Sequence, residues 1–190
     1  GLRETATCTL EELPHLARDL PPRSRVLLAG MVEEVVRKPT KSGGMMARFV
    51  LSDETGALEA VAFGRAYDQV SPRLKEDTPV LVLAEVEREE GGVRVLAQAV
   101  WTYEELEQVP RALEVEAEAS LLDEHAGALP LSVRVQGAFG EALLALREVR
   151  VGEEALGALE AAGFRAYLLP DREVLLQGGQ AGEAQEAVPF

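Results

Sequence analysis

The residues of this chain best suited to meeting a ligand are cations, and they are gathered in one place. Arg37, Lys38, Lys41 and Arg48 lie between Val35 and Ser52 with no acidic residue among them, in a chain whose formal net charge is −14. Two of its three lysines are spent here. Unopposed positive charge inside an acidic protein suits contact with a polyanion. Thr40 and Ser42 add hydroxyls to the same stretch, and Gly43-Gly44 lets a backbone come close. Met46 shares the outward face of its strand with Arg48, and Phe63 further on is a surface on which a base can stack. A solvated, charged turn is the plainer account of such residues. Phosphate contact by about four of them would give weak binding with a log–log salt slope near −3.

Other chemistry is poorly represented. The chain has no Gly-x-Ser-x-Gly, no phosphate-binding loop, no dinucleotide-binding glycine fingerprint and no histidine placed as a general base. Asp53-Glu54 could suggest a metal, but a turn closed by Asp53 before Thr55-Gly56 accounts for the pair. Cys8, His15 and His125 lack metal-ligand spacing. The expectation is therefore no catalytic residues, no metal and no cofactor. One cysteine, no apolar run of eighteen residues and no signal-peptide pattern point to a cytoplasmic protein away from the membrane. Arginine far outnumbers lysine, as in a thermophile or a GC-rich genome.

The cations need a scaffold, and the hydrophobic pattern supplies one. Residues 1–23 read as a helical approach or linker, with Thr9 and Glu12 at capping-box spacing and Pro21-Pro22 as a stop. From Ser24 the period becomes two. Val26–Val36 is a long strand, bent or bulged at Gly30, followed by a turn from Pro39 to Gly44. Met46–Ser52 is a second strand, with Ala47, Phe49 and Leu51 on the core face and Met46, Arg48 and Val50 on the other. Leu58–Phe63 is a third, and Gly64–Leu74 a short helix carrying Tyr67, which suits core packing more than stacking. Pro79–Arg88 and Val93–Trp101 form a hairpin around Gly91-Gly92. Trp101, beside Tyr103, is placed to cover a seam. Three strands, a helix and two strands, with a bent first strand, is the order of an OB-fold barrel.

A boundary is expected at Glu104–Gln108, before Pro110. Residues 111–178 then read as a small α/β unit: strands at Leu113–Ala119 and Pro130–Gln136, a strand or helix over Leu143–Val151, a helix over Glu153–Ala162 closed by Gly163, and paired strands at Phe164–Leu169 and Glu173–Leu176. Residues 179–190 read as a loose tail. The fold class is thus mixed β and α+β: a five-stranded OB-fold barrel at 24–108, then a small α/β domain.

Several of these stretches together resemble a known family. Val26-Leu-Leu-Ala-Gly-Met-Val, Arg37-Lys-Pro-Thr-Lys-Ser-Gly-Gly-Met-Met-Ala, Leu51-Ser-Asp-Glu-Thr-Gly-Ala-Leu-Glu-Ala-Val-Ala-Phe and Tyr67 look like the OB domain of the bacterial replicative DNA polymerase III alpha subunit. The resemblance extends to about Leu106, and beyond it the chain is similar in outline to that subunit's C-terminal domain. It implies a non-catalytic C-terminal piece of a DNA polymerase, binding single-stranded DNA by its barrel and the clamp-loader tau subunit by its second domain. The family usually carries an aromatic residue after Met46-Ala47. Arg48 stands there instead, and it can stack on a base or meet a phosphate. Gln185, Val188 and Phe190 resemble the anchors of a sliding-clamp binding peptide, which makes the clamp a further expected partner. Two other readings compete: an OB domain for tRNA or other RNA, and an OB module that binds only protein.

Overall fold

The computed structural model describes residues 2–115, 126–137 and 140–178. These form two compact units, one of residues 2–108 with 174–178 and one of Val109–Glu173.

The first unit is a closed barrel built from β1 (Arg25–Pro39), β2 (Met45–Ser52), β3 (Ala57–Phe63), β4 (Pro79–Glu89) and β5 (Gly92–Thr102), in the order β1-β2-β3-β5-β4. All pairings are antiparallel except β3 with β5, where the barrel closes. Two short helices, α1 (Leu2–Thr5) and α2 (Leu13–Leu16), precede β1. Helix α3 (Arg65–Val70) and a 3-10 turn over Ser71–Arg73 lie between β3 and β4, and α4 (Tyr103–Leu106) follows β5. Alternation on β2 is as read, with Ala47, Phe49 and Leu51 fully buried. Strand β4 departs from it, because Val80 to Ala84 are all buried, as in a strand covered on both faces.

The segment read as an approach or linker belongs to the barrel. Leu10, Leu13 and Ala17 are buried in the same core as Phe49 and Val82. The capping box explains how so short a segment holds its shape: Thr9 N–H donates to Glu12 Oε2 at 3.0 Å, and Glu12 N–H to Thr9 Oγ1 at 3.3 Å. Thr7 joins it to β1 in two bonds, its N–H to Leu27 O and its Oγ1 accepting from Leu27 N–H. Composition alone hid this, since three inward apolar residues among many charged ones make a faint pattern.

Two features shape β1. At Gly30–Met31 the strand exchanges β4 for β2 as its partner. A Cβ on Gly30 would lie 2.6 Å from Ser52 O, so only glycine permits the approach. The ladder with β2 is then broken between Glu33 and Val36, a bulge in which Glu34 takes φ 51°. The strand runs on to Pro39, so Arg37 and Lys38 lie on β1 and not on the turn.

The second unit is a four-stranded sheet in the order β8-β7-β6-β9, from β6 (Arg111–Val115), β7 (Ala126–Gly137), β8 (Gly140–Val151) and β9 (Ala166–Pro170). Only β6 and β7 are parallel. Helix α5 (Glu154–Ala161) buries Ala155 and Leu159 against Leu113, Leu131 and Val151, and Gly163 follows it at φ 89°. The expected strand at Glu173–Leu176 is instead helix α6 (Arg172–Leu176). Asp171 accounts for this, accepting from Glu173 N–H at 2.9 Å in the manner of an N-cap. Leu175 is fully buried, and residues 174–178 group with the barrel, where Arg25 Nη1 donates to Leu176 O.

Candidate nucleic-acid interface

The bulge decides which side chains of β1 face outward. Past it, Val36 pairs with Arg48 and Lys38 with Met46, while Arg48 pairs with Val61 and Met46 with Phe63. Two rows therefore cross three strands on the outer face of the barrel: Lys38–Met46–Phe63, and next to it Val36–Arg48–Val61. Directly opposed side chains on adjacent strands sit about 5 Å apart at Cβ, close enough to act on one ligand. Phe63 is 52% exposed and Val36 44%, large apolar surfaces left in water beside two cations.

Arg37, on the opposite phase, is turned elsewhere. Its Nε donates to Ser71 Oγ at 2.9 Å, and its Nη2 to Ser71 O and Leu74 O at 2.9 and 3.0 Å. It ties β1 to the 3-10 turn. Thr40 and Ser42 are likewise engaged within the turn: their hydroxyls lie 3.1 Å apart, and Gly44 N–H donates to Thr40 Oγ1. Gly43 at φ 92° completes a tight loop that holds Lys41 in solvent. Tyr67 packs on the barrel core.

The remaining cations stand apart. Among the described residues, the side chains of Lys38, Lys41 and Arg48 make no hydrogen bond or ion pair. Arg65, exposed two residues after Phe63, is equally unpartnered. Sequence reading passed over Arg65 because it follows Gly64 outside the basic stretch; the chain turns back there, with Gly64 at φ 62°. Other arginines of this unit are engaged, Arg73 by Glu105, Arg94 by Glu87 and Glu89, and Arg88 by the carbonyls of Arg18 and Leu20. Unpaired cations beside an exposed aromatic ring, in a chain so rich in acid, are placed for an anion from outside.

Asp53 is a structural residue. Its carboxylate accepts from Thr55 N–H, Thr55 Oγ1 and Gly56 N–H on one oxygen and from Leu10 N–H on the other. Partial burial opposes its charge, but the hydrogen bonds from Thr55, Leu10 and Gly56 outweigh that and hold it below the usual carboxylate range. Cys8 is pushed up to about 11, by burial and then by Glu12 and Asp53, which leaves an unreactive thiol. Among the described residues no cluster of three or more His, Cys, Asp or Glu could hold a metal, and no helix is long and apolar enough to cross a membrane. His125 and the tail residues Gln185, Val188 and Phe190 lie outside the described residues.

Residues 26–103 match the family of OB-fold nucleic-acid-binding domains of the tRNA anticodon type. The barrel is an OB fold. The chain as a whole is 66% identical, over 202 positions, to the DNA polymerase III alpha subunit of Thermus aquaticus, spanning 100% of this chain and 16% of that one. It is 44% identical to the alpha subunit of Deinococcus radiodurans, over 72% of this chain and 11% of that one. The chain thus spans a small part of the relatives it matches, and the resemblance read from its turns holds over its full length. The second OB-fold domain of replication protein A from Methanococcus maripaludis superposes with a TM-score of 0.36 at 18% identity, covering 45% of this chain and 90% of that one.

In the OB barrel the outer face of β1–β2–β3 is thus assembled from four elements. The bulge sets Lys38, alternation on β2 sets Met46 and Arg48, the end of β3 sets Phe63, and the glycine turn into α3 sets Arg65. The arrangement can stack a base on Phe63 while cations on both sides meet its flanking phosphates.

Proposed function

We propose that this chain is a non-catalytic portion of a replicative DNA polymerase alpha subunit, and that its OB barrel binds single-stranded DNA. The observation that carries the reading is the cross-strand row Lys38–Met46–Phe63, with Arg48 beside it. It combines unpaired charge with exposed stacking surface, the two ingredients of sequence-tolerant single-strand binding. Bases in a duplex are closed to an aromatic side chain on a barrel face, so unpaired strands are favoured. The acidic surroundings weaken the site, which fits a positioning role that raises local concentration rather than tight sequestration. No metal, cofactor or catalytic residue enters this reading. The second unit, in the same proposal, docks the clamp-loader tau subunit, and the tail bearing Gln185, Val188 and Phe190 the sliding clamp. Similarity over the whole of this chain to the Thermus aquaticus alpha subunit supports both assignments.

The test is fluorescence anisotropy of a labelled single-stranded oligonucleotide titrated with the chain from low to moderate salt. Binding should fall with a log–log slope of about −3 and vanish in a Lys38→Ala, Lys41→Ala, Arg48→Ala variant. The Lys38→Ala, Lys41→Ala pair should weaken DNA binding and leave tau binding intact. Absence of binding at the lowest salt would reject the single-strand reading and move the function to protein assembly.

A further inference from the structure

The outer face of the barrel changes sign along its strands. The row Lys38–Met46–Phe63 is positive, with the exposed Lys41 in the turn after β1 and the exposed Arg65 two residues beyond Phe63. The next row, Val36–Arg48–Val61, continues through Leu96 to Glu85 on β4. One step further on, Glu33 pairs with Val50 and Val50 with Glu59. Past Glu59 lie Arg94 and Glu87, which pair across β5 and β4. Arg94 offers nothing to a phosphate, being held by Glu87 at 3.1 Å and Glu89 at 3.2 Å.

The two loops that flank the ligand face of an OB barrel follow the same division. The β1–β2 turn, 40–44, carries Lys41 and adjoins Lys38. The β4–β5 hairpin, beyond the end of β4 at Glu89, carries Glu90 and two glycines. Residues two apart on a strand face are separated by about 7 Å, so the Glu59 row lies about 13 Å from the Phe63 row. A strand leaving the positive rows in that direction meets carboxylates within little more than a Debye length at ordinary salt.

We infer that the barrel engages only a short single-stranded segment, about four nucleotides at the lower end of OB site sizes, held from the β1–β2 side. Glu59 and Glu90 act as negative determinants that turn a longer strand away from the β4–β5 hairpin. The inference rests on the single-strand reading and adds its length limit and the residues that set it. The ligand is then a short exposed stretch or an end, not a long strand wrapped around the barrel.

The experiment titrates the full chain, by NMR at low salt, with oligothymidylates of about 4, 8 and 16 nucleotides, spanning the OB range. A Glu59→Gln, Glu90→Gln variant is run alongside. Both side chains are exposed and make no hydrogen bond or ion pair among the described residues, and Glu59 meets Arg94 only through its field, so the fold should stand, and a thermal melt checks it. Affinity per binding register in the natural chain should be flat beyond the shortest oligonucleotide. The variant should match it on the shortest and bind the longest about tenfold more tightly, because the added phosphates no longer meet like charge. Affinity that climbs with length in the natural chain, or a variant no tighter on the longest oligonucleotide, overturns the length limit and leaves single-strand binding standing. No binding of any length by either protein overturns the single-strand reading itself.

Discussion

Arg37 on β1 and Phe63 on β3 show how differently two exposed residues can serve the molecule. Arg37 gives three hydrogen bonds to Ser71 and Leu74, whereas Phe63 leaves half its surface in water. Arg37→Ala should therefore lower stability by about 1 kcal/mol, as lost hydrogen bonds do, and change DNA affinity little. Phe63→Ala should leave the urea midpoint in place and cost about 1–3 kcal/mol of single-strand affinity, the worth of one stacked base. Equal losses of affinity in both variants would put Arg37 in the binding face after all. Asp53 offers a test of a different kind. Its folded-state pKa is depressed, so the stability it adds is present above the unfolded value of about 3.9 and is lost as pH falls below that. Asp53→Asn should lower stability by about 1 kcal/mol at neutral pH, with the gap closing in acid as the natural residue protonates. A gap of constant size down to acid pH would show that the charge plays no part.

At the level of elements, the bulge in β1 determines the site. Without the extra residue at Glu34–Val35, strict alternation would send Arg37 outward and Lys38 inward. With it, Lys38 joins Met46 and Phe63. The bulged backbone is supported, since Val35 N–H donates to Glu76 Oε1 at 3.3 Å. Glu34 nonetheless sits in the left-handed region, which costs a side-chain-bearing residue on the order of 1 kcal/mol. Glu34→Gly should hold or raise stability, by up to about 1 kcal/mol, and Glu34→Val should lower it by about 1–2 kcal/mol, because a branched Cβ crowds that conformation most. Equal unfolding midpoints for the two would mean the bulge is not built as described. This is also where sequence reading reached its limit. Period-two alternation on β2 was legible because Ala47, Phe49 and Leu51 are unambiguous core residues. The strand order, the capping box and the Asp53 turn were legible for the same reason, each resting on local residue chemistry. A glutamate at positive φ carries no such signature, and Gly30, which does, marks the exchange of strand partners instead. The role of Arg37 depends on that phase and on Ser71 and Leu74, and that of Arg65 on the turn at Gly64, so neither could be read from spacing.

For the molecule as a whole, the two units differ in what holds them. The barrel rests on a large apolar core. The second unit has a smaller one and, on the sheet face opposite Leu113, a buried carboxylate. Glu114 is 1% exposed and meets Arg134 Nη2 at 2.8 Å and Arg172 Nε at 2.5 Å. The Arg134 guanidinium also lies over the Tyr167 ring, 5.3 Å from its centre. A strand that alternates apolar and acidic residues reads as half-exposed, yet two arginines distant in sequence let this acid go inside. Such a network adds little net stability over an apolar replacement, but removing one member strands the others' charge out of water. Glu114→Gln should therefore destabilise the second unit by about 3 kcal/mol, lowering its melting transition by on the order of 10–20 °C. Single-strand binding by the barrel should be unchanged at temperatures below that transition, while tau binding, assigned to the second unit, should fall with it. Loss of both together would mean that the two units unfold as one and that the barrel depends on its neighbour. Loss of tau binding alone would separate the two activities by unit, as the proposal requires.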